Sequence, residues 1–184
     1  MPGALEDLRA DFERRARRSL SLPIAGAIVW TAVALLGFLL PARAATLALL
    51  FGTGAIFPLA LLIARLRGEQ LLENSNPLAS LMGACVFMVN LLWAVHLPLA
   101  VNAPAFVPLS VGIGLGLHWV VYSWITQHPV GYAHATLRTV GVLAAWWMVP
   151  QAVVSACAAA VVVAYALAIY QMATRRIPVL EPGR

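Results

Sequence analysis

The sequence predicts an all-α integral membrane protein with six transmembrane helices and an N-terminal amphipathic interfacial helix. Apolar residues come in blocks of roughly twenty, the length that a helix needs to cross about 30 Å of hydrocarbon. Of the 184 residues, 62% are hydrophobic and only 10% are charged, whereas a soluble domain usually carries about 25% charged residues. The arginines are concentrated in every second segment outside these blocks, and the segments in between are almost uncharged. Most of the chain is therefore predicted to be surrounded by lipid.

The first segment, residues 1–21, is predicted to be a cytoplasmic or interfacial amphipathic helix. Acidic side chains come first on its polar face and arginines come last, which suits the helix dipole. We expect this helix to lie in the plane of the lipid head groups; the alternative is a solvated tail that only orients the first span. Its apolar residues recur at the three- and four-residue spacing of one helix face: Leu5, Leu8, Phe12, Ala16 and Leu20.

Six apolar stretches form the predicted transmembrane domain, residues 22–172, and a cytoplasmic tail follows at residues 173–184. The connections between the stretches are too short to hold a second domain. Pro58 falls inside the second stretch and predicts a bend, because its ring crowds the carbonyl of Gly54. The predicted spans are residues 22–40, 44–66, 78–98, 105–126, 131–149 and 150–171.

All twelve basic residues are arginines, and eleven of them are assigned to one side of the membrane. They lie in the N-terminal segment, the connections after the second and fourth spans, and the C-terminal tail, whereas Arg43 is alone on the opposite side. Because arginine excess in short connections marks the cytoplasmic side, both termini are predicted to be cytoplasmic. Arginine without lysine, in a background rich in Ala, Leu and Val, is typical of a GC-rich bacterial genome. We therefore expect the inner (plasma) membrane of a bacterium.

The basic composition has a membrane explanation. A pI near 10 would suggest nucleic acid as the partner of a soluble protein. Here the arginines lie at span ends, where they meet anionic lipid head groups. We expect membrane lipids as partners, with a homo-oligomer or a membrane partner protein as further possibilities, and no nucleic acid.

The seven acidic residues all lie outside the predicted spans. Transporters coupled to protons or sodium usually bury a carboxylate in the membrane, and hydrolysis by paired carboxylates needs the same groups. No nucleophile–base pair and no complete metal-ligand set is visible in the sequence. An enzyme is therefore the least favoured class, and no cofactor is expected.

Four polar residues are candidates for lining a pathway or pocket: Asn90, His118, Tyr122 and Arg138. Asn90 lies near the bilayer midplane and needs a partner on a neighbouring helix, so an interhelical hydrogen bond is the alternative to a lining role. His118 is predicted some 13 Å deep, and Tyr122 shares its helix face. Cys85 is expected level with His118, but two ligands are too few for a metal site, and none is predicted.

Arg138 fits the arginine pattern least well, because it follows the predicted start of the fifth span by about 10 Å. Its side chain could extend to the surface, or the span could begin later, near Leu137. A third explanation is that it faces an aqueous cavity, which would make it functional. The sequence leaves the three open.

Gly112 and Gly116 form a pair of small residues that lets another helix approach closely. Packing is the default interpretation of the pair, and close contact with a ligand is the alternative. Most of the tryptophans fit anchoring at the membrane interface: Trp93, Trp124, Trp146 and Trp147.

The sequence resembles a bacterial family of small multi-span proteins that is known only as a domain of unknown function. The resemblance rests on Leu22-Pro23, on Asn76-Pro77-Leu78, and on the region from His118-Trp119 to Tyr122 and Trp124. It implies a membrane protein over most of the chain. It implies no activity and no site residue.

Two functional hypotheses follow. The first is a small transporter or channel-like protein for a neutral or weakly polar substrate, with the four candidate residues along its pathway. The second is a non-catalytic membrane partner or lipid-binding subunit, which the glycine-rich packing faces and the lack of buried carboxylates favour.

Overall fold

Helices make up almost all of the described chain. The structure, a computed structural model, describes residues 2–16, 20–69 and 75–175. Within these ranges there are ten α-helices and no β-strand, which confirms the predicted all-α class. The helices are α1 Pro2–Ala16, α2 Ser21–Leu39, α3 Ala42–Gly52, α4 Ile56–Arg67, α5 Pro77–Leu91, α6 Trp93–Asn102, α7 Val107–Gly114, α8 His118–Thr126, α9 Val130–Met148 and α10 Val153–Thr174.

Five helical segments of the described chain are long and apolar enough to cross a membrane: Ser21–Leu39, Ala42–Arg67, Pro77–Asn102, Pro104–Thr126 and Pro150–Thr174. The helix predicted as the remaining span is α9, which has 19 residues. It has the length of a span but is not among these five, because it carries polar residues such as His134 and Arg138. Its place as the sixth span stays a prediction.

Three of the five segments are interrupted near their middles. A 3-10 turn at Thr53–Ala55 separates α3 from α4. This turn contains Gly54, whose carbonyl is predicted to be crowded by the ring of Pro58. Leu92 separates α5 from α6, and residues 115–117 separate α7 from α8. Each interruption takes backbone groups out of the regular helical pattern, so these groups become available to side chains.

The core of the bundle lies around α2, α9 and α10. α10 packs along both α2 and α9, α7 and α8 also pack on α9, and α7 contacts α10 as well. Helices α5 and α6 lie at the periphery, where large apolar side chains such as Phe87, Met88 and Leu91 are exposed. An apolar outer surface of this kind fits lipid as the surrounding solvent.

Both ends of the described chain lie at one end of the bundle. The backbone N–H of Ser21 donates to Glu69 at 3.1 Å, beside the end of α4. Arg175 beyond α10 pairs with Glu13 of α1 at 2.6 Å. At the opposite end, Trp146 donates to the carbonyl of Ala105 at 2.8 Å. The segments predicted to be cytoplasmic therefore meet at one end, and the side of the membrane they occupy stays a prediction.

Helix α1 forms where the amphipathic helix is predicted, and it ends at Ala16. It packs against α5 and α8, and Phe12 on its apolar face is buried. Its apolar face thus contacts the end of the bundle. A position of this helix in the head-group plane stays a prediction.

Candidate functional site

Arg138 lies inside the helix bundle. It is the ninth residue of α9, about 12 Å along the helix axis from Val130, and its exposure is 0%. The side chain therefore does not extend to the surface, and α9 begins at Val130 instead of near Leu137. Two of the three explanations for Arg138, a side chain that extends to the surface and a later start of the span, therefore do not fit its position. That it faces an aqueous cavity stays a prediction.

The interruption between α7 and α8 supplies the partner of Arg138. In a regular helix the N–H of Gly116 would bond to the carbonyl of Gly112, but here it bonds to Ile113 at 2.9 Å. The carbonyl of Gly112 instead accepts a hydrogen bond from Nε of Arg138. Gly116 also leaves room for the arginine, since a Cβ there would lie 2.7 Å from Cδ of Arg138.

Two aromatic rings from other helices face the guanidinium. Its Cζ atom is 5.1 Å from the ring centroid of Trp30 on α2 and 5.7 Å from that of Tyr165 on α10. Trp30 is fully buried and Tyr165 nearly so. A desolvated cation gains about 2 kcal/mol from a well-placed ring, so the rings offset part of the cost of burying this charge.

His134 lies one turn before Arg138 on the same face of α9. Its Nδ1 is 3.0 Å from the carbonyl of Ala164, and a carbonyl only accepts, so Nδ1 carries the proton. The ring stacks on Trp119 of α8, with centroids 4.1 Å apart, and contacts Tyr165 at 4.8 Å. We call Arg138, His134, Trp30, Trp119 and Tyr165, with the Gly112 carbonyl, the polar centre.

The polar centre has more donors than acceptors. Nη1 and Nη2 of Arg138 and the ring N–H groups of Trp30 and Trp119 are buried without a hydrogen-bond partner among the described residues. The Tyr165 hydroxyl interacts with the guanidinium but does not reach hydrogen-bond geometry with it. The acidic residues that the structure describes lie in α1 and beside the end of α4, and none of them pairs with Arg138. The positive charge is thus without a carboxylate counter-ion in the described chain.

The predicted site residues are brought together only in part. His118 is at the start of α8, with its ring 6.2 Å from that of Trp119, and Tyr122 contacts Trp119 at 5.7 Å. Asn90 lies apart: it is exposed on α5, and its Nδ2 donates to Val86 of its own helix at 2.8 Å. The predicted interhelical partner of Asn90 is therefore not found in the described chain.

No metal site forms around Cys85 and His118. Within residues 2–16, 20–69 and 75–175, no three His, Cys, Asp or Glu side chains are grouped so as to hold a metal ion.

Tyr122 links the polar centre to the end of the bundle where α1 docks. Its hydroxyl lies 3.5 Å from Nη2 of Arg175, which also pairs with Glu13. The side chains of Arg175 and Glu13 are only 7% and 10% exposed. This contact places α1 and the end of α10 beside the C-terminal half of α8.

A second contact holds α1 at the start of α5. Asn76 caps α5 by accepting from the N–H of Leu78, and its Nδ2 donates to the carbonyl of Leu8 at 2.8 Å and to the Asp11 carboxylate at 2.9 Å. The hydrogen bond from Asn76, followed by those from Arg15 and Arg14, holds the pKa of Asp11 below its ordinary value of 3.8.

Sequence reasoning missed four members of the polar centre: Trp30, Trp119, His134 and Tyr165. His134 was not chosen as a candidate, although the predicted fifth span, residues 131–149, contains it. The signal that was available is the four-residue spacing of His134 and Arg138, which puts both on one helix face. For Trp30, the position in the sequence offered a signal, because this residue lies mid-span, far from the interface where anchoring tryptophans are found.

Comparison with known families gives one finding. The model of a family described as "Family of unknown function (DUF7010)" matches residues 5–175. No curated protein and no solved structure matches the chain.

Proposed function

Because this chain belongs to the family of unknown function DUF7010, we propose its function from the site: it binds a small polar solute at the polar centre and passes it across the membrane. The observation that carries this proposal is the fully buried Arg138 at the interrupted helix α7–α8. An ionisable side chain inside a membrane bundle is costly, and such residues usually mark a solute or ion pathway.

The interrupted helices support a pathway through the bundle. Many transporters bind solutes near the bilayer midplane at helices that are broken there, because the break exposes backbone groups to the solute. Gly112, Gly114 and Gly116 give this break small residues at three alternate positions. The turn between α7 and α8 is also the place where a small change of backbone angles would open the polar centre.

The proposal takes α9 as the sixth span, in the inner (plasma) membrane of a bacterium, with both termini cytoplasmic. One face of α9 packs on α7, α8 and α10, and His134, Arg138 and Val142 are buried there. The other face exposes apolar side chains such as Val140 and Leu143. A helix that turns its polar residues inward and its apolar residues outward is able to span a membrane. Tyr122 and His118 would then lie on the cytoplasmic approach to the centre.

The test is an osmotic swelling assay on proteoliposomes. Vesicles containing the protein are mixed with iso-osmotic glycerol, urea or sodium acetate, and light scattering follows solute entry. We expect at least one of these solutes to enter faster than it enters protein-free vesicles. Arg138→Gln should abolish this excess entry rate. Arg43→Gln is the matched control, because Arg43 is exposed at the other side of the bundle and its loss should leave the excess intact. Equal rates with and without protein for all three solutes would refute transport.

Asn90 supports a second candidate function, that of a self-associating membrane subunit. Its amide is exposed on the peripheral helix α5, where lipid offers no hydrogen bond. Gly83, seven residues earlier on the same face, has open space around it, so another helix can approach. An amide both donates and accepts, and it can therefore pair with the same amide of a second copy across a two-fold axis.

Asn90→Leu tests this candidate. If Asn90 pairs with a second copy, the variant should weaken dimerisation in lipid bilayers by about 1 kcal/mol or roughly fivefold. The measurement is energy transfer between labelled copies at increasing dilution in lipid. Asn102→Leu is the matched control, because Asn102 is also exposed and also bonds back to its own helix, at Pro98, but lies at the helix end. A protein that stays monomeric at the highest density would rule the candidate out.

A further inference from the structure

We propose that the ligand of the polar centre is a small monocarboxylate whose apolar part is packed by aromatic rings. This inference rests on the proposed function, in that it assigns the solute class of the same site. It replaces the neutral or weakly polar substrate that the sequence suggested, because the structure puts an unpaired positive charge at the centre.

The electrostatics of the centre call for a negative charge. Arg138 is 0% exposed, and no acidic residue of the described chain pairs with it. Among the described residues, the backbone group that accepts from it is the Gly112 carbonyl. An anion placed here would form a charge-assisted pair with the guanidinium.

The shape of the donor set points to an oxyanion. Nε of Arg138 is occupied by Gly112, whereas Nη1 and Nη2 have no partner in the described chain. These two nitrogens form the fork that matches two oxygens of one carboxylate or phosphate. A halide ion would neutralise the charge, but it has no pair of oxygens to bond to both nitrogens.

Charge balance distinguishes a carboxylate from a phosphate. The centre holds one permanent positive charge, and one carboxylate would neutralise it. A phosphate near neutral pH would leave about one further negative charge in a low-dielectric interior, which is costly. The centre is also walled by Trp30, Trp119 and Tyr165, and these rings would pack the apolar part of an organic acid.

The first experiment uses the unaltered protein in lipid nanodiscs, with empty nanodiscs as the blank. Isothermal titration at pH 7.5 compares benzoate with benzamide, its neutral isostere, and with inorganic phosphate. We expect saturable binding of benzoate at least about tenfold tighter than of benzamide or phosphate. Benzamide loses the charge-assisted pair, and phosphate brings further negative charge and no apolar part for the rings to pack. Equal affinity for benzamide would overturn the inference in favour of a neutral ligand, and tighter binding of phosphate would overturn the carboxylate assignment.

Variants then locate the binding. Arg138→Lys keeps the charge but not the fork, and Arg138→Gln loses both, so benzoate affinity should fall in that order, by about tenfold or more in Arg138→Gln. Arg43→Gln should bind benzoate like the unaltered protein. Unchanged affinity in a folded Arg138→Gln would place the ligand elsewhere and refute the inference. If Arg138→Gln does not fold, the benzoate affinity of Arg138→Lys and the comparison of benzoate with benzamide test the inference instead.

The binding experiment and the swelling experiment test different claims, and either one can give a negative result without the other. Benzoate binding without any solute entry would leave the ligand assignment standing and refute transport. Entry of glycerol or urea without benzoate binding would leave transport standing and refute the monocarboxylate.

Discussion

At the scale of single residues, the arginines of this protein occupy two different environments. Arg15 and Arg175 lie at the end of the bundle and pair with carboxylates of α1, at 2.8 Å and 2.6 Å. Arg138 has no such partner in the described chain, and a backbone carbonyl and two rings stabilise it instead. The chemistry of the side chain is the same, so the surroundings decide whether it forms ion pairs at the end of the bundle or is buried without a carboxylate partner in the described chain.

Asp11 gives a prediction for pH. Because its pKa is lowered in the folded protein, its interactions stabilise the docked α1 at pH values above 3.8, the ordinary carboxyl pKa. That stabilisation is lost as the pH falls through the lower pKa of the folded state. We therefore expect the protection of the α1 amides, the ratio of intrinsic to measured hydrogen-exchange rate at each pH, to fall below about pH 4.

The control for this prediction is Asp11→Asn. The variant cannot titrate at this position, so its α1 should exchange faster at neutral pH and depend less on pH. A variant with the same pH profile as the unaltered protein would show that another carboxylate, such as Glu13, controls docking.

At the scale of helices, glycines decide where two helices meet. A Cβ at Gly131 would lie 2.0 Å from the carbonyl oxygen of Trp119, so α8 and α9 approach each other backbone to backbone. A Cβ at Gly112 would lie 2.8 Å from Val142, which brings α7 close to α9. These contacts hold α9 between α7 and α8 and so set the position of Arg138 at the break.

Gly131→Ala should therefore destabilise the protein by about 1–3 kcal/mol, because a backbone oxygen cannot move away as a side chain can. The helix propensity of alanine offsets at most about 1 kcal/mol of this. The measurement is the thermal midpoint of helix loss by circular dichroism in detergent.

Gly83→Ala is the matched control for Gly131→Ala. A Cβ at Gly83 has nothing within 4 Å, so this variant should be neutral or slightly stabilised. Equal midpoints for the two variants would contradict the close approach of α8 and α9.

At the scale of the whole molecule, the two ends of the described chain and two connections gather at one end of the bundle. Contacts between distant parts of the chain show this, among them Arg9 with Trp124 at 3.3 Å and Glu13 with Arg175. Arg43 is at the other side and is exposed. The charge rule for membrane proteins then predicts which end faces the cytoplasm.

Single cysteines test this orientation. In intact cells, a membrane-impermeant maleimide should label Arg43→Cys, and it should label Gln127→Cys only after lysis, because Gln127 is exposed at the predicted inner end. The unaltered protein, whose Cys85 and Cys157 are buried, is the blank. The reverse labelling pattern would refute the predicted topology.

The limits of the sequence are clearest at Asn90 and His134. Hydropathy predicted the depth of Asn90 in its span but not the direction in which it faces, and the amide lies on the outside of α5. His134 was not among the candidate residues, and it lies in the core against Trp119. Direction depends on the rotation of each helix about its axis, and neighbouring helices decide that rotation.

The sequence by itself determined the helical class, the apolar segments and the gathering of arginines, because hydropathy and charge are properties of local segments. It also predicted the break near Pro58, since a proline acts on its own turn. Only the tertiary structure decided that Arg138 is in the core and that Trp30, Trp119 and Tyr165 surround it. These contacts join α2, α7, α8, α9 and α10, and no local pattern encodes which faces of five helices will meet.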